Sequence, residues 1–356
     1  MTHSAHQRRY NLIGGWAGRK PLRKGPMRRR EFVSLLGGAV AWPLAARAQQ
    51  PQRMRRIGVL TAFAESDHEA QSWVAAFREE LRNLGWSEGR NIQIDIRWGT
   101  DDVESMQQLA KEVVALQPDF ILTISTPATA AMLHETRTIP IIFVMVGDPV
   151  GSGFVASLPR PGANVTGFTP LVGSLGGKWV ELLKEIAPRV VRAVALFNPT
   201  MAPYAEYYLN PFKAAAASSG MEAIPAPVHN LSELESVIAA QSREPNGGLV
   251  VIPDAFTVSR HRTEIILLAA RYRVPAVYSW RLFADLGGLI SYGPDAIDQH
   301  RRAASYGDRI LKGEKPSELP VQTPVKFELV INLKTAKELG LDVSWQLQQR
   351  ADEVID

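Results

Sequence analysis

The chain has 356 residues, which allows two domains of ordinary size, and its composition is that of a soluble globular protein. It contains no cysteine, which excludes disulfides, thiolate metal sites, a cysteine nucleophile and a lipidated N-terminal cysteine. Residues 1–48 hold ten of the 40 basic residues but one of the 36 acidic residues. The rest of the chain is therefore mildly acidic, and we expect no nucleic-acid binding.

Residues 1–48 form a basic leader, within which residues 27–48 have the organisation of a secretory signal peptide. Three arginines at 28–30 precede an apolar segment at 32–44, and the small-x-small sequence Ala46-Arg47-Ala48 follows. The arginine pair before Glu-Phe-Val resembles a twin-arginine signal, which suits export of folded proteins. We therefore expect export by the twin-arginine machinery, cleavage near Ala48 and a periplasmic location. The alternatives are a buried amphipathic helix or a nucleic-acid-binding arm, and a start at Met1 or Met27 stays open.

The next hundred or so residues alternate between apolar runs typical of strands and amphipathic segments typical of helices. We predict strands at 57–61, 91–98, 120–124 and 141–146, and helices at 68–84, 106–116 and 128–135. The stretch from 120 to 150 reads as strand, polar loop, helix, strand and polar loop, which is one βαβ unit. Ligands of open α/β sheets bind outside the carboxyl ends of the strands, so we expect this stretch to form one wall of a binding cleft.

Residues 147–177 interrupt the alternation, because they are dense in glycine, proline and small polar residues. We interpret them as a segment that crosses between domains. The alternation then returns, with predicted strands at 193–197, 221–225, 248–252 and 276–278 and helices at 178–186, 204–219, 231–241 and 257–272. The tail contains a predicted helix at 296–311, a proline-rich second crossing at 316–324, a strand at 327–331 and a short helix at 333–339.

Two βαβ-type halves on either side of a linker predict an α/β fold with two Rossmann-like lobes. Each lobe has a mostly parallel sheet, and crossing segments join the two. We expect the first lobe to contain residues 55–170 plus 292–320 and the second to contain 171–291 plus 321–345. Several crossings make a hinge that lets the lobes close around a ligand.

Polar and aromatic residues lie at or just after the predicted strand ends of both halves. The candidate ligand-binding residues are Ala62, Phe63, Ser125, Thr126, Pro127, Asp148, Asn198, Tyr204, Asp254, Tyr278 and Ser279. The helix N-terminus at Thr126 suits a carboxylate, Asp148 or Asp254 suits an ammonium group, and Tyr204 or Tyr278 would flank an apolar part. The alternative is purely structural: Ser125 and Thr126 as helix caps, and Asp148, Asn198 and Asp254 as turn residues.

Motifs of enzymes and cofactor sites are missing from the sequence. No G-x-G-x-x-G follows a strand, no phosphate-binding loop is complete, no G-x-S-x-G occurs, and the seven histidines have no metal-ligand spacing. We therefore expect a binding protein without catalytic residues, metal or cofactor. The main alternative is a ligand-sensing regulatory or sensor domain of the same fold, which would need a helix-turn-helix at its N-terminus.

Four features resemble the substrate-binding components of ABC transporters, in the family that includes tryptophan- and tyrosine-binding proteins. These are the leader ending in ARAQQ, the run GDPVGSGFVASLPRPGANVTGFT, the segment VALFNPT, and the C-terminal run YGDRILKGEKPSELPVQTPVKFELVINLKTAKELGL. The resemblance implies a type I periplasmic binding fold with polar contacts at residues 125–127 and Asp148. It also implies a small organic ligand, with an aromatic amino acid as the candidate, and an ABC permease of the inner membrane as partner.

Overall fold

The computed structural model of the protein describes residues 53–99, 102–243 and 246–356. The leader and signal-peptide predictions lie outside these residues. Residues Arg53–Asp356 form one unit by their internal contacts. None of the helices in the described ranges is long and apolar enough to cross a membrane.

A five-stranded sheet organises the first lobe. Its strands are β1 (Arg55–Thr61), β2 (Ile92–Trp98), β3 (Phe120–Ile124), β4 (Ile141–Val144) and β5 (Val165–Phe168). All pairs are parallel, in the order β2-β1-β3-β4-β5. Every residue of β3 and β4 is buried, which explains why these strands read as continuous apolar runs rather than alternating ones.

Three helices connect these strands: α1 (His68–Asn83), α2 (Val103–Ala115) and α3 (Thr126–Glu135). The Asp67 side chain caps α1 by accepting hydrogen bonds from the backbone N–H groups of Glu69 and Ala70. The buried face of α1 then recurs at the three- and four-residue spacing of an amphipathic helix, at Ala70, Trp73, Val74, Phe77 and Leu81.

A seven-stranded sheet organises the second lobe. Its strands are β6 (Arg192–Phe197), β7 (Glu222–Pro227), β8 (Gly247–Val251), β9 (Ala276–Tyr278), β10 (Ile290–Pro294), β11 (Phe327–Asn332) and β12 (Glu353–Ile355). Their order is β12-β11-β10-β9-β8-β6-β7, and the pair β10–β11 is antiparallel while the other pairs are parallel. The helices between β5 and β10 are α4 (Leu175–Ile186), α5 (Ala205–Ser218), α6 (Leu231–Arg243), α7 (Arg262–Arg271) and α8 (Arg281–Asp285).

The chain crosses between the lobes after β5, after β10 and before β11. The second crossing leads into α9 (Ala296–Leu311), which packs on α1 and the first sheet. Gly307 allows this close approach, because a Cβ there would lie 2.7 Å from the Phe120 ring. After the third crossing, α10 (Leu333–Leu339) and α11 (Trp345–Arg350) precede the last strand of the second sheet. The prediction of an α/β fold with two lobes of mostly parallel sheets is confirmed.

Several elements differ from those predicted. β5 lies inside residues 147–177, where no strand was predicted. Its Gly167 is required by packing, since a Cβ there would lie 2.1 Å from the Phe143 carbonyl oxygen. The single helix predicted at 257–272 is a π-helix, Phe256–Arg260, followed by α7. The short elements α8, α11 and β12 were not predicted. Residues 292–294 of β10 lie in the second sheet, although they were predicted in the first lobe. Residues 353–355 also belong to the second sheet as β12, beyond its predicted end at 345.

Candidate functional site

A cleft with a volume of about 360 Å³ lies between the two lobes, within the size range of small-molecule sites. The strand-end loops of both sheets form its walls. The first lobe contributes Phe63, Ser125, Thr126, Pro127, Ala130, Met145, Gly147, Ser152 and Phe154. Residues from the first crossing onward contribute Pro170, Thr200, Met201, Pro203, Tyr204, Tyr208, Pro253, Asp254, Ala255, Val258, Ser259 and Trp280.

Ser125 lies at the carboxyl end of β3, immediately before α3, and is 7% exposed. Its backbone has φ 94° and ψ 160°, a region that is otherwise almost confined to glycine and costs about 1–3 kcal/mol. Although Ser125 is the N-cap residue, its side chain does not cap the helix, and its buried Oγ has no hydrogen-bond partner. A strained residue with an unsatisfied hydroxyl at a helix N-terminus is typical of a ligand contact rather than of a structural cap.

The neighbouring strand ends in a similar way. Met145 follows β4 with φ 61°, and it lines the cleft. Thr126 links the two strand ends, because its Oγ1 accepts a hydrogen bond from the Gly147 N–H at 3.4 Å. The turn at each strand end therefore directs side chains into the cleft while the loops support each other.

Asp254 follows β8 on the opposite wall and is 5% exposed. Its Oδ2 accepts a hydrogen bond from the Asn198 N–H at 2.8 Å, and its Oδ1 accepts one from the Thr257 N–H at 2.8 Å. Burial raises the pKa of this carboxyl group from 3.8 to about 6, although the backbone hydrogen bonds act in the opposite direction. None of the lysines and arginines in the described ranges lines the cleft, so the Asp254 charge has no cationic side chain beside it there.

Aromatic rings supply much of the remaining wall: Phe63, Phe154, Tyr204, Tyr208 and Trp280. The Tyr204 hydroxyl donates a hydrogen bond to the Pro253 carbonyl oxygen at 2.9 Å, which fixes its ring. Burial, followed by the nearby Asp254 carboxylate, raises the pKa of Tyr204 well above its usual value. Burial likewise raises the pKa of Tyr208. Both phenols are therefore neutral near pH 7, and the wall is suited to an aromatic or apolar group.

The Tyr204 ring also makes a contact across the cleft. It packs against Gly147 of the first lobe so closely that a Cβ on Gly147 would lie 2.5 Å from Cζ of Tyr204. A side chain larger than the hydrogen atom of glycine does not fit at position 147. The two lobes therefore meet at the edge of the cleft because this residue is glycine.

The structure places Phe63, Ser125, Thr126, Pro127, Tyr204 and Asp254, among the candidate residues, on the cleft wall. Ala62, Asp148, Asn198, Tyr278 and Ser279 are not on it. Asp148 and Asn198 form turns: the Asp148 carboxylate accepts from the Gly151 N–H, and the Asn198 Oδ1 accepts from the N–H groups of residues 200 and 201. Tyr278 is a core residue stacked on Phe283 with ring centroids 4.7 Å apart.

Ala62 and Ser279 are also buried away from the wall, at 6% and 1% exposure. In each case the aromatic residue that follows, Phe63 or Trp280, lines the cleft. Trp280 was missed. Tyr208 was missed as well, although it lies four residues after Tyr204 and so on the same face of α5.

The part of the chain that the structure describes contains no cluster of three His, Asp or Glu side chains that would hold a metal ion. A carboxylate on one wall, a helix N-terminus with a free hydroxyl on the other and aromatic rings between them complement a small zwitterion. Such an arrangement can bind and enclose a ligand without covalent chemistry.

Comparison with known proteins identifies relatives that share this architecture. The chain is 26% identical over 265 residues, 74% of its length, to the tyrosine-binding protein of Clostridioides difficile (strain R20291), of which it covers 75%. The crystal structure of an ABC domain from Streptococcus pneumonia in complex with L-Trp is 26% identical, with a TM-score of 0.75 over 85% of this chain and 100% of that one. A conserved domain protein from Vibrio cholerae O1 biovar El Tor is 28% identical, with a TM-score of 0.75 and the same coverage.

The family model described as "ABC transporter substrate binding protein" matches residues 57–355, which include both lobes and all three crossings. The chain therefore belongs to the family of ABC transporter substrate-binding proteins.

Proposed function

We propose that this protein binds an α-amino acid with an aromatic side chain in the interlobe cleft and delivers it to the permease of an ABC transporter. The observation that carries the proposal is the placement of Ser125 and Asp254 on opposite walls. One wall offers hydrogen-bond donors and the other a negative charge, and an amino acid carries the two matching groups on one carbon atom.

The ligand carboxylate is assigned to the N-terminus of α3. The unpartnered Ser125 hydroxyl donates to it, the Thr126 hydroxyl provides a second donor, and the N–H groups of the first helical turn carry a partial positive charge. No lysine or arginine of the described residues lines the cleft, so an anion bound there depends on neutral donors such as these.

The ligand ammonium group is assigned to Asp254, which is the carboxylate on the cleft wall. Backbone N–H groups of Asn198 and Thr257 hold the carboxylate in position at 2.8 Å each, so that it can meet a cation in the cleft. The aromatic side chain then lies among Tyr204, Tyr208 and Trp280. Ligands of two relatives, tyrosine and L-Trp, fit this assignment.

Delivery to a permease, export by the twin-arginine machinery and a periplasmic location complete the proposal. They are supported by family membership and by the leader at residues 27–48. The regulatory alternative requires a DNA-binding unit before the first lobe, and the leader sequence has an apolar segment and cleavage site instead. Cell fractionation separates the two: processed periplasmic protein supports transport, whereas intact cytosolic protein supports regulation.

A thermal-shift screen of the purified protein tests the ligand class. L-Tryptophan, L-tyrosine and L-phenylalanine are expected to raise the melting temperature, because a ligand at 100 times its Kd adds about 2.7 kcal/mol of stability. Tryptamine, which lacks the carboxylate, and indole-3-propionate, which lacks the amine, are expected to give much smaller shifts. Absence of a shift with all three amino acids contradicts the proposal, and equal shifts with the truncated analogues contradict the two-wall assignment.

Replacing Ser125 by alanine is expected to weaken amino-acid binding about tenfold, the effect of one hydrogen bond to a charged group. Since the Ser125 hydroxyl has no partner in the protein, its removal should leave the melting temperature of the ligand-free protein unchanged or slightly higher. Isothermal titration calorimetry measures the affinity. Tryptamine serves as the matched control, because its binding should not change without a carboxylate to contact. An unchanged affinity for the amino acid in Ser125→Ala contradicts the assigned role of Ser125.

A further inference from the structure

An ion pair joins the two lobes beside the cleft. Asp67, in the loop between β1 and α1 of the first lobe, contacts Arg262, the first residue of α7 in the second lobe. The Arg262 Nη2 and the Asp67 Oδ2 are 2.7 Å apart, and the side chains are 16% and 12% exposed. A pair that is this well shielded is screened by salt far less than a surface pair.

The Asp67 carboxylate is held in position by its own helix. Its Oδ1 accepts hydrogen bonds from the backbone N–H groups of Glu69 and Ala70, at 3.0 and 3.1 Å. The other oxygen, Oδ2, is thereby directed at Arg262. The Asp67 side chain therefore loses little further entropy when the pair forms, so more of the Coulomb energy favours contact between the lobes.

Both partners lie on segments that also line the cleft. Phe63 belongs to the same loop as Asp67 and contributes to the first wall. On the other side, Val258 and Ser259 of the π-helix Phe256–Arg260 line the cleft, and Arg262 follows this π-helix by two residues. A ligand that fixes these two segments therefore also fixes the ends of the ion pair.

Further acidic groups lie at this seam. Burial raises the pKa of Glu69 in the first lobe, and the negative charge of Asp285 in the second lobe raises it further, with Arg281 and Arg262 opposing. Two carboxylates from opposite lobes thus repel each other next to the pair. Arg281, which pairs with Asp285 at 3.2 Å, and Arg262 both offset this repulsion, so loss of Arg262 removes part of the compensation and favours separation of the lobes.

We propose that Asp67 and Arg262 form an interlobe latch that holds the two lobes together and slows release of the ligand. They are positioning residues, because neither lines the cleft. The effect on ligand release rests on the proposed function, whereas the effect on lobe closure does not.

The latch is tested with Arg262→Gln, Asp67→Asn and the double variant. Asparagine caps helices as well as aspartate does, so Asp67→Asn removes the charge and keeps the cap of α1. The control is Arg271→Gln at the other end of α7, where Arg271 pairs with Glu235 inside the second lobe and the side chains are 68% and 43% exposed. Stopped-flow tryptophan fluorescence with L-tyrosine as the probe measures the dissociation rate constant.

Each single latch variant is expected to raise the dissociation rate constant about tenfold, since breaking a desolvated pair acts mainly on release. The double variant should be no faster than the faster single one, and the control should be unchanged. Additive effects of the two single changes would show that the residues act independently and overturn the latch.

A second measurement determines the distance between the lobes in the absence of a ligand. The chain has no cysteine, so the exposed residues Gln108 in α2 and Ser232 in α6 are replaced by cysteine and spin-labelled. Electron–electron double resonance is expected to show longer interlobe distances in the labelled Arg262→Gln variant than in the labelled protein that keeps Arg262. An unchanged distance distribution overturns the latch, whereas failure of L-tyrosine to bind any form contradicts the proposed function alone.

Discussion

Replacing Gly147 by alanine is expected to weaken amino-acid binding by about a hundredfold, because the lobes can no longer meet across the cleft. The added Cβ would lie 2.5 Å from Cζ and 2.6 Å from both Cε1 and the hydroxyl oxygen of Tyr204. The Tyr204 ring cannot rotate away without losing its hydrogen bond to Pro253. Forcing a methyl group into such a contact costs about 1–3 kcal/mol. We expect a cost near the upper end of this range, because the contact joins two lobes. Titration calorimetry with L-tryptophan measures the change in Kd.

Separation of the lobes relieves this clash, so ligand-free Gly147→Ala is expected to hold its lobes further apart and to keep a melting temperature near that of the unmodified protein. Gly153→Ala is the matched control in the same loop. Gly153 has φ 71°, but nothing lies within 4 Å of an added Cβ. It should lose some stability from backbone strain and keep its affinity. If both variants lose affinity equally, loop strain rather than blocked closure is responsible.

Much of the fold followed from local patterns in the sequence. The segments 120–124 and 296–311 were predicted with the bounds they have, because a fully apolar run and a strongly amphipathic helix are unambiguous. β5 was not predicted, because its four residues include Gly167, and glycine counts against a strand. That glycine is explained by the Phe143 carbonyl of the neighbouring strand, which is distant in sequence. Tertiary packing therefore decided what local propensity could not.

The candidate site was predictable where strand ends and cleft-lining residues coincide. Ser125 follows β3 directly, Asp254 lies three residues after the end of β8, and the two are on opposite cleft walls. Asp148 also follows a strand, but its carboxylate accepts a hydrogen bond from the Gly151 N–H in the same loop. Whether an aspartate after a strand faces the cleft or its own loop depends on the backbone conformation of that loop. Sequence spacing does not contain that information.

The ion pair between Asp67 and Arg262 joins residues 195 positions apart in the sequence. Neither has a distinctive neighbourhood: Asp67 reads as a helix cap and Arg262 as an ordinary helical residue. The pair exists because three crossings bring the β1–α1 loop next to the π-helix. Contacts between lobes are in general the features that single-sequence reasoning cannot reach, since they depend on how crossings orient two separately folded sheets.

Replacing Asp254 by asparagine is expected to weaken binding of aromatic amino acids by at least about a hundredfold, because the ligand ammonium group loses its buried charged partner. Affinity for indole-3-propionate, which has no amine, should change little. The asparagine NH2 group must face the backbone N–H of Asn198 or Thr257, and two donors cannot form a hydrogen bond. Some loss of stability is therefore expected. The ratio of the two affinities separates lost ligand contact from general damage.

The pH dependence of the unmodified protein provides the sharper test of Asp254. Its pKa is about 6 in the folded protein against 3.8 as the reference value, so the folded state holds this proton more tightly than the unfolded state does. The stability that the proton contributes is fully present below about pH 4 and is lost as pH rises through about 6. Ionisation of Asp254 across this window lowers the free energy of unfolding by about 3 kcal/mol. A bound ammonium group would offset this loss.

Binding of a zwitterionic amino acid should therefore strengthen as pH rises from 5 to 7, by up to about tenfold per pH unit below the pKa. Near pH 6 it should also release a proton, because the ammonium group lowers the pKa of Asp254. Calorimetry in buffers of different ionisation enthalpy counts that proton. Asp254→Asn should bind weakly with no proton release and no pH dependence between 5 and 7. If the unmodified protein binds L-tryptophan equally at pH 5 and pH 7, the ammonium group does not contact Asp254, and the orientation of the ligand in the cleft must be reversed or shifted.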